Sequence, residues 1–172
     1  MKKVFIDGSS GTTGLRILDR LKDRDDMELL ILGEEDRKNK DSRSKALNLC
    51  DVALLCLPDE AAREAASMVQ NPDTIVIDAS SAHRTQSGWS YGFPELSDSM
   101  RQKIETSKRI TVPGCHASGF LALVYPLLTN QVIRKEVRLS CHSITGYSGG
   151  GKKMIGEYES DQRSVLLDAP RQ

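Results

Sequence analysis

Cys115 follows a Pro-Gly turn directly, in Val112-Pro113-Gly114-Cys115-His116-Ala117-Ser118-Gly119, and precedes an apolar run from Phe120 to Leu128. That run reads as a buried helix, so the turn is expected to present the thiol at the helix N-terminus. There the macrodipole and the unpaired N–H groups favour a thiolate, which is how a cysteine nucleophile is made. A buried structural cysteine is the competing reading of a thiol taken alone. A second constellation lies at the other end of the chain. Gly8-Ser9-Ser10-Gly11-Thr12-Thr13-Gly14 joins the apolar stretch Lys3 to Asp7 to the amphipathic stretch Leu15 to Leu21. A strand, a glycine turn and a helix in that order form a dinucleotide cradle, the glycines serving the tight turn, the close approach of pyrophosphate and helix–strand packing. The hydroxyls of Ser9, Ser10, Thr12 and Thr13 add donors, while a plain glycine-rich turn is the alternative.

The elements that must position these groups alternate between strand and helix. Glu28 to Leu32, Asp51 to Leu57, Thr74 to Asp78 and Arg109 to Val112 read as further strands, and Asp51 to Leu57 has the apolar continuity of a strand covered on both faces. Ala61 to Gln70 reads as a helix with Asp59 as its N-cap after Pro58, and Ser97 to Lys108 as a polar helix. The expected fold is α/β, a doubly wound Rossmann-like parallel sheet over residues 1–114, with residues 115–172 beginning a second domain. Gly33 to Arg43 reads as a polar loop after the second strand. In such folds that position meets the adenosine ribose, so Arg37 and Lys38 favour NADP, Glu34 and Glu35 argue for NAD, and a solvated charge run is the third reading. Pro58 and Ser80 fall at strand ends facing the same cofactor, and His83 with Arg84 at a ligand-binding edge. His116 is expected to face away from its neighbour Cys115, and His142 to be structural in a strand from Glu136 to Ile144.

The 172 residues, 38% hydrophobic and 28% charged, suffice for a real core. Lysine plus arginine equals aspartate plus glutamate at 24 each, so no basic field for nucleic acid follows. No apolar run is long enough to span a bilayer, and the N-terminus enters a strand without a leader. Cys50, Cys56, Cys115 and Cys141 show neither metal-ligand nor disulfide spacing, which suits a reducing cytoplasm.

Six segments in order then carry a resemblance. They are IDGSSGTTG (Ile6 to Gly14), LLCLPDEAAREA (Leu54 to Ala65), VIDASSAHR (Val76 to Arg84), WSYGFPEL (Trp89 to Leu96), VPGCHASGF (Val112 to Phe120) and GYSGGGKKMI (Gly146 to Ile155). Together they resemble the short type of N-acetyl-gamma-glutamyl-phosphate reductase. Aspartate-semialdehyde dehydrogenases share the glycine turn and the thiol, and a catalytically silent nucleotide-binding module is the non-enzymatic alternative. The resemblance implies an NADPH-dependent reduction of an acyl phosphate through a thioacyl intermediate on Cys115, with oxyanion stabilisation by backbone N–H groups. It implies that Gly149 meets the cofactor and that Ser148 and Lys153 meet the substrate, while the place of His83 and Arg84 at the binding edge suits them to the substrate phosphate, a structural histidine being the alternative, and no metal is expected. It further implies a homo-oligomer, an α+β catalytic domain of which this chain holds only the start, and an acid–base histidine beyond Gln172. Poor turnover by this chain alone is the corresponding expectation. His116, Ala117 and Ser118 stand where the family usually carries tyrosine, proline and threonine.

Overall fold

The protein is described by a computed structural model, which defines residues 1–146, 149 and 151–160, the last stretch with side chains from residue 154. Six parallel strands form one sheet: β1 (Lys2–Asp7), β2 (Met27–Leu30), β3 (Val52–Leu55), β4 (Ile75–Asp78), β5 (Ser90–Tyr91) and β6 (Arg109–Thr111). Their order is β2-β1-β3-β4-β6-β5. The helices are α1 (Thr12–Leu21), α2 (Lys40–Leu49), α3 (Asp59–Met68), α4 (Asp98–Thr106), α5 (Cys115–Thr129) and α6 (Gly151–Glu159). The chain runs outward from β1 to β2, then returns across β1 to β3 and β4. Because such crossovers are right-handed, α1 lies on one face of the sheet and α2 and α3 on the other, as a doubly wound fold requires.

The core packs Ala46, Leu47 and Cys50 of the α2 region and Ala65 and Met68 of α3 against Phe5, Ala53, Leu55 and Val76 of the sheet. Those strand residues share a face because Phe5 pairs with Ala53 and Ala53 with Val76. Burial of each large side chain in this cluster contributes about 1.5–3 kcal/mol. The helix starts follow from local chemistry. Asn39 accepts from the N–H groups of Asp41 and Ser42 at 2.9 and 3.1 Å and so begins α2, and Ser97 accepts from Met100 N–H at 3.2 Å and begins α4.

Several expectations are corrected. The stretch from Gly33 to Arg43 is not an open loop, because a 3-10 turn at Asp36–Lys38 leads straight into α2. Pro58 occupies the cap position of α3, and Asp59, its first helical residue, instead accepts from Ser81 N–H at 3.0 Å and Ser81 Oγ at 2.6 Å. A two-residue strand, β5, lies between the expected fourth and fifth strands. Residues 136–144 form no strand, since they pair with no strand of the sheet and a lone strand leaves its backbone groups to water. Two compact units are present, Met1–Val137 and Arg138–Gln172, and α5 lies within the first.

Candidate active site

One row of paired residues crosses the sheet at its carboxyl edge: Asp7 beside Leu55, Leu55 beside Asp78, and Asp78 beside Thr111. Gly8 follows the first of these and the Val112-Pro113-Gly114 turn follows the last. Three strand spacings therefore separate the glycine turn from the thiol turn, roughly 14 Å. Both leave the same edge, where open α/β sheets bind ligands.

The glycine turn has its steric reasons in the backbone. Gly8 has φ +87°, and a β-carbon there would collide with the Cys56 carbonyl, while one on Gly14 would collide with the Gly8 carbonyl. Gly11 caps α1 without a side-chain bond, and its N–H donates to Gly8 O at 3.0 Å. The first-turn N–H groups of α1 thus end at an uncapped N-terminus, the position that takes an anion. Beside it lies a cavity of about 380 Å³ lined by Gly8, Ser9 and Ser10, by the apolar Phe5, Ile6, Leu32, Leu57 and Ala61, and by Asp7, Arg37, Lys38 and Arg43. Leu57 and Ala61 flank Pro58, which is itself exposed. Arg37 pairs with Glu34 at 3.0 Å, while Lys38 has no ion-pair partner among the described residues. These features fit a nucleotide: a cradle that a β-carbon would fill, an apolar slot, and cations at the rim.

Arg43, unread in the sequence, is buried on α2 and faces Asp7, with Nη2–Oδ2 at 2.9 Å and Nε–Oδ2 at 3.1 Å. Its Nη1 reaches Glu64 at 3.4 Å. Burial works against the guanidinium charge, but the hydrogen bonds and charge of Asp7, joined by Glu64, hold its pKa above the ordinary value. The signal was present in spacing: Arg43, Ala46, Leu47 and Cys50 stand at helical intervals, with the arginine in an apolar slot.

At the third place of the row, Asp78 is fully buried and accepts from Ser80 N–H at 2.9 Å and Ser80 Oγ at 2.7 Å. His83 Nδ1 lies 2.6 Å from the same carboxylate, and its ring stacks on Trp89 at 4.1 Å between centroids. Both side chains are therefore engaged within the protein: the Ser80 hydroxyl, expected at the cofactor, accepts from Ala82 N–H instead, and His83, expected at the substrate, is 4% exposed. This network fixes the turn that carries Arg84. Arg84 donates from Nε to Val112 O at 3.0 Å and from Nη2 to Ala79 O at 3.3 Å, tying the exits of β4 and β6 together. A β-carbon on Gly114 would come within 2.8 Å of Arg84 Nη1, so the glycine lets the guanidinium lie against the thiol turn.

Cys115 is the first residue of α5, exposed, with Gly114 in the cap position and no side-chain cap. An exposed thiol, backbone N–H donors and a nearby guanidinium thus share one turn, a set with the chemistry to attack a carbonyl and hold the resulting oxyanion. All four cysteines are free. Burial pushes the thiols of Cys50 and Cys56 up to about 11, Cys56 being raised further by Asp7 and Asp78. At pH 8 each is then about a thousandth ionised. Iodoacetamide is expected to label Cys115 fastest and leave Cys50 and Cys56 almost untouched; faster reaction at any other cysteine contradicts the nucleophile assignment. His116 is exposed on the next position of α5, and His142 is exposed with Nε2 3.4 Å from Ser140 Oγ. Of the second unit's expected site residues, Gly149 is exposed, Ser148 lies outside the described residues, and Lys153 lies in α6 with its side chain outside them. No His, Cys, Asp and Glu group suited to a metal ion is present among the described residues, and no described helix is long and apolar enough to cross a membrane.

Residues 3–106 match the family described as semialdehyde dehydrogenase, NAD binding domain. The chain belongs to that family. It is 47% identical over 171 residues to an N-acetyl-gamma-glutamyl-phosphate reductase of Trichormus variabilis, a match covering 98% of this chain and 53% of that protein. It is 52% identical over 157 residues to one from Burkholderia cenocepacia, covering 91% of this chain and 50% of that protein. The chain spans about half the length of the curated relatives it matches. Among solved structures it superposes on aspartate semialdehyde dehydrogenase from Francisella tularensis with TM-score 0.67 at 19% identity, covering 100% of this chain and 52% of that one. That likeness shows the fold.

Proposed function

We propose that this chain is the nucleotide-binding and thiol-bearing part of an N-acetyl-gamma-glutamyl-phosphate reductase using NADPH. The single observation that carries the reading is the Asp7–Leu55–Asp78–Thr111 row, which brings the glycine turn and Cys115 to one edge of the sheet. The names of relatives about half identical to this chain supply the substrate. In this mechanism the Cys115 thiolate attacks the acyl-phosphate carbonyl, N–H groups of the first turn of α5 hold the oxyanion, and phosphate departs to leave a thioester. When bound, NADPH would supply the hydride for reduction of this carbonyl to the semialdehyde, which frees the Cys115 thiolate. Gly8 to Gly14 bind the pyrophosphate, and Arg37 and Lys38 meet the ribose phosphate. Arg84 holds the thiol turn and offers charge to the acyl phosphate. Gly149 as a cofactor residue and Ser148 and Lys153 as substrate residues belong to the same reading. So do a reducing cytoplasmic location and self-association through α5, where Leu123 is 73% exposed.

The test is acylation. Mixing the chain with N-acetyl-gamma-glutamyl phosphate is expected to release phosphate stoichiometrically and leave the N-acetylglutamyl mass on the peptide containing Cys115. Modification elsewhere, or none, overturns the proposal. For the cofactor, Arg37→Ala with Lys38→Ala is expected to weaken NADPH about tenfold or more, each lost charge-assisted contact mattering at the 1.5–3 kcal/mol scale at most, while leaving NADH nearly unchanged. Fluorescence titration of both nucleotides decides it, and equal affinities untouched by the pair remove the NADP assignment.

A further inference from the structure

Asp7 poses an electrostatic problem. It is 4% exposed, lines the cavity and immediately precedes the glycine turn, so its charge sits beside the N–H groups meant for an anion. Buried there alone, a carboxylate would repel a phosphate through a poorly screened medium. Arg43 covers it, meeting Oδ1 at 3.3 Å as well as Oδ2. Glu64, the second carboxylate on Arg43, is in turn matched by Lys40 at 3.0 Å. The two carboxylates and two cations cancel, which leaves Lys38 as cationic charge at the cavity. The same arginine also fastens a wall of the cavity. Ser42 Oγ donates to Asp36 Oδ1 at 2.7 Å and Asn39 caps α2, so the 3-10 turn bearing Arg37 and Lys38 is bound to the helix that Arg43 anchors on β1.

We propose that Arg43 is a positioning residue for nucleotide binding: it acts through Asp7, neutralising that carboxylate beneath the glycine turn, so that the site accepts the anionic part of a nucleotide. This rests on the nucleotide reading above and adds a residue to it. A merely structural arginine would affect neutral and anionic ligands alike, whereas this role discriminates between them and depends on salt.

The experiment titrates the chain and its Arg43→Gln variant with 2′,5′-ADP and with adenosine, at low and high ionic strength. Arg43→Gln is expected to weaken 2′,5′-ADP at least about tenfold, more at low salt, and adenosine less than about threefold. Adding Asp7→Asn to that variant is expected to recover 2′,5′-ADP binding to within about threefold of the parent, since the repelling charge is gone. Equal losses for both ligands, no loss, or no recovery in the double variant overturns the proposal. Should Arg43→Gln fail to fold, Asp7→Asn alone decides: unchanged or tighter 2′,5′-ADP binding supports the charge role, and a tenfold loss overturns it. A parent chain that binds no nucleotide overturns the nucleotide reading and this inference together. An Arg37→Ala, Lys38→Ala pair that weakens NADPH while Arg43→Gln is silent overturns this inference alone.

Discussion

Replacing Cys115 by serine is expected to abolish acyl-phosphate cleavage, lowering the rate of phosphate release by at least about ten-thousandfold. A hydroxyl at that position is far less ionised near neutrality and so a far weaker nucleophile. Nucleotide affinity and melting temperature should hardly move, because the Cys115 side chain is exposed. A rapid-quench phosphate assay beside a thermal melt separates the two effects. Retained cleavage in Cys115→Ser with a normal melt would show that another group is the nucleophile.

Gly8→Ala is expected to have the largest effect on stability. The residue has φ +87°, and the added carbon meets the Cys56 carbonyl, which is itself fixed because Cys56 N–H donates to Asp7 O at 2.8 Å. The conformational cost and the forced backbone shift together amount to about 3 kcal/mol or more. For a chain of this size that lowers the melting temperature on the order of 6–12 °C. Nucleotide binding should be lost with it, since the cradle can no longer close. Gly33→Ala is the matched control, having nothing within 4 Å of its added carbon, and should melt within a degree or two of the parent. A Gly8→Ala chain that melts with the parent and binds NADPH normally would remove the turn from the account.

The parts of this fold legible in the sequence were those whose pattern is local. Val4-Phe5-Ile6 between a charged start and a glycine turn reads as a buried strand because no other element suits a short apolar run stopped by glycine. The Pro-Gly-Cys turn likewise foretold a thiol at the head of α5, which now begins at Cys115 itself. What escaped was long-range. α2 hid within a charged stretch because its inward face places Arg43 where a leucine would be expected, and only the partner Asp7, 36 residues away, makes that burial favourable. His83 stands at the sheet edge where its position in the sequence suggests a ligand or a structural role. Its actual partners, Asp78 below and Trp89 alongside, are set by the fold of the turn. The strand expected over residues 136–144 had a suitable alternation but no neighbour to pair with.

If the glycine turn and Cys115 serve one site, bound nucleotide must protect the thiol. Iodoacetamide labelling of each cysteine is followed by peptide mass spectrometry with and without saturating NADPH. NADPH is expected to slow labelling of Cys115 several-fold while leaving the exposed Cys141 unchanged, and Gly8→Ala to abolish the protection. Labelling of Cys115 at the same rate with NADPH bound, or equal protection of Cys141, would contradict the shared site.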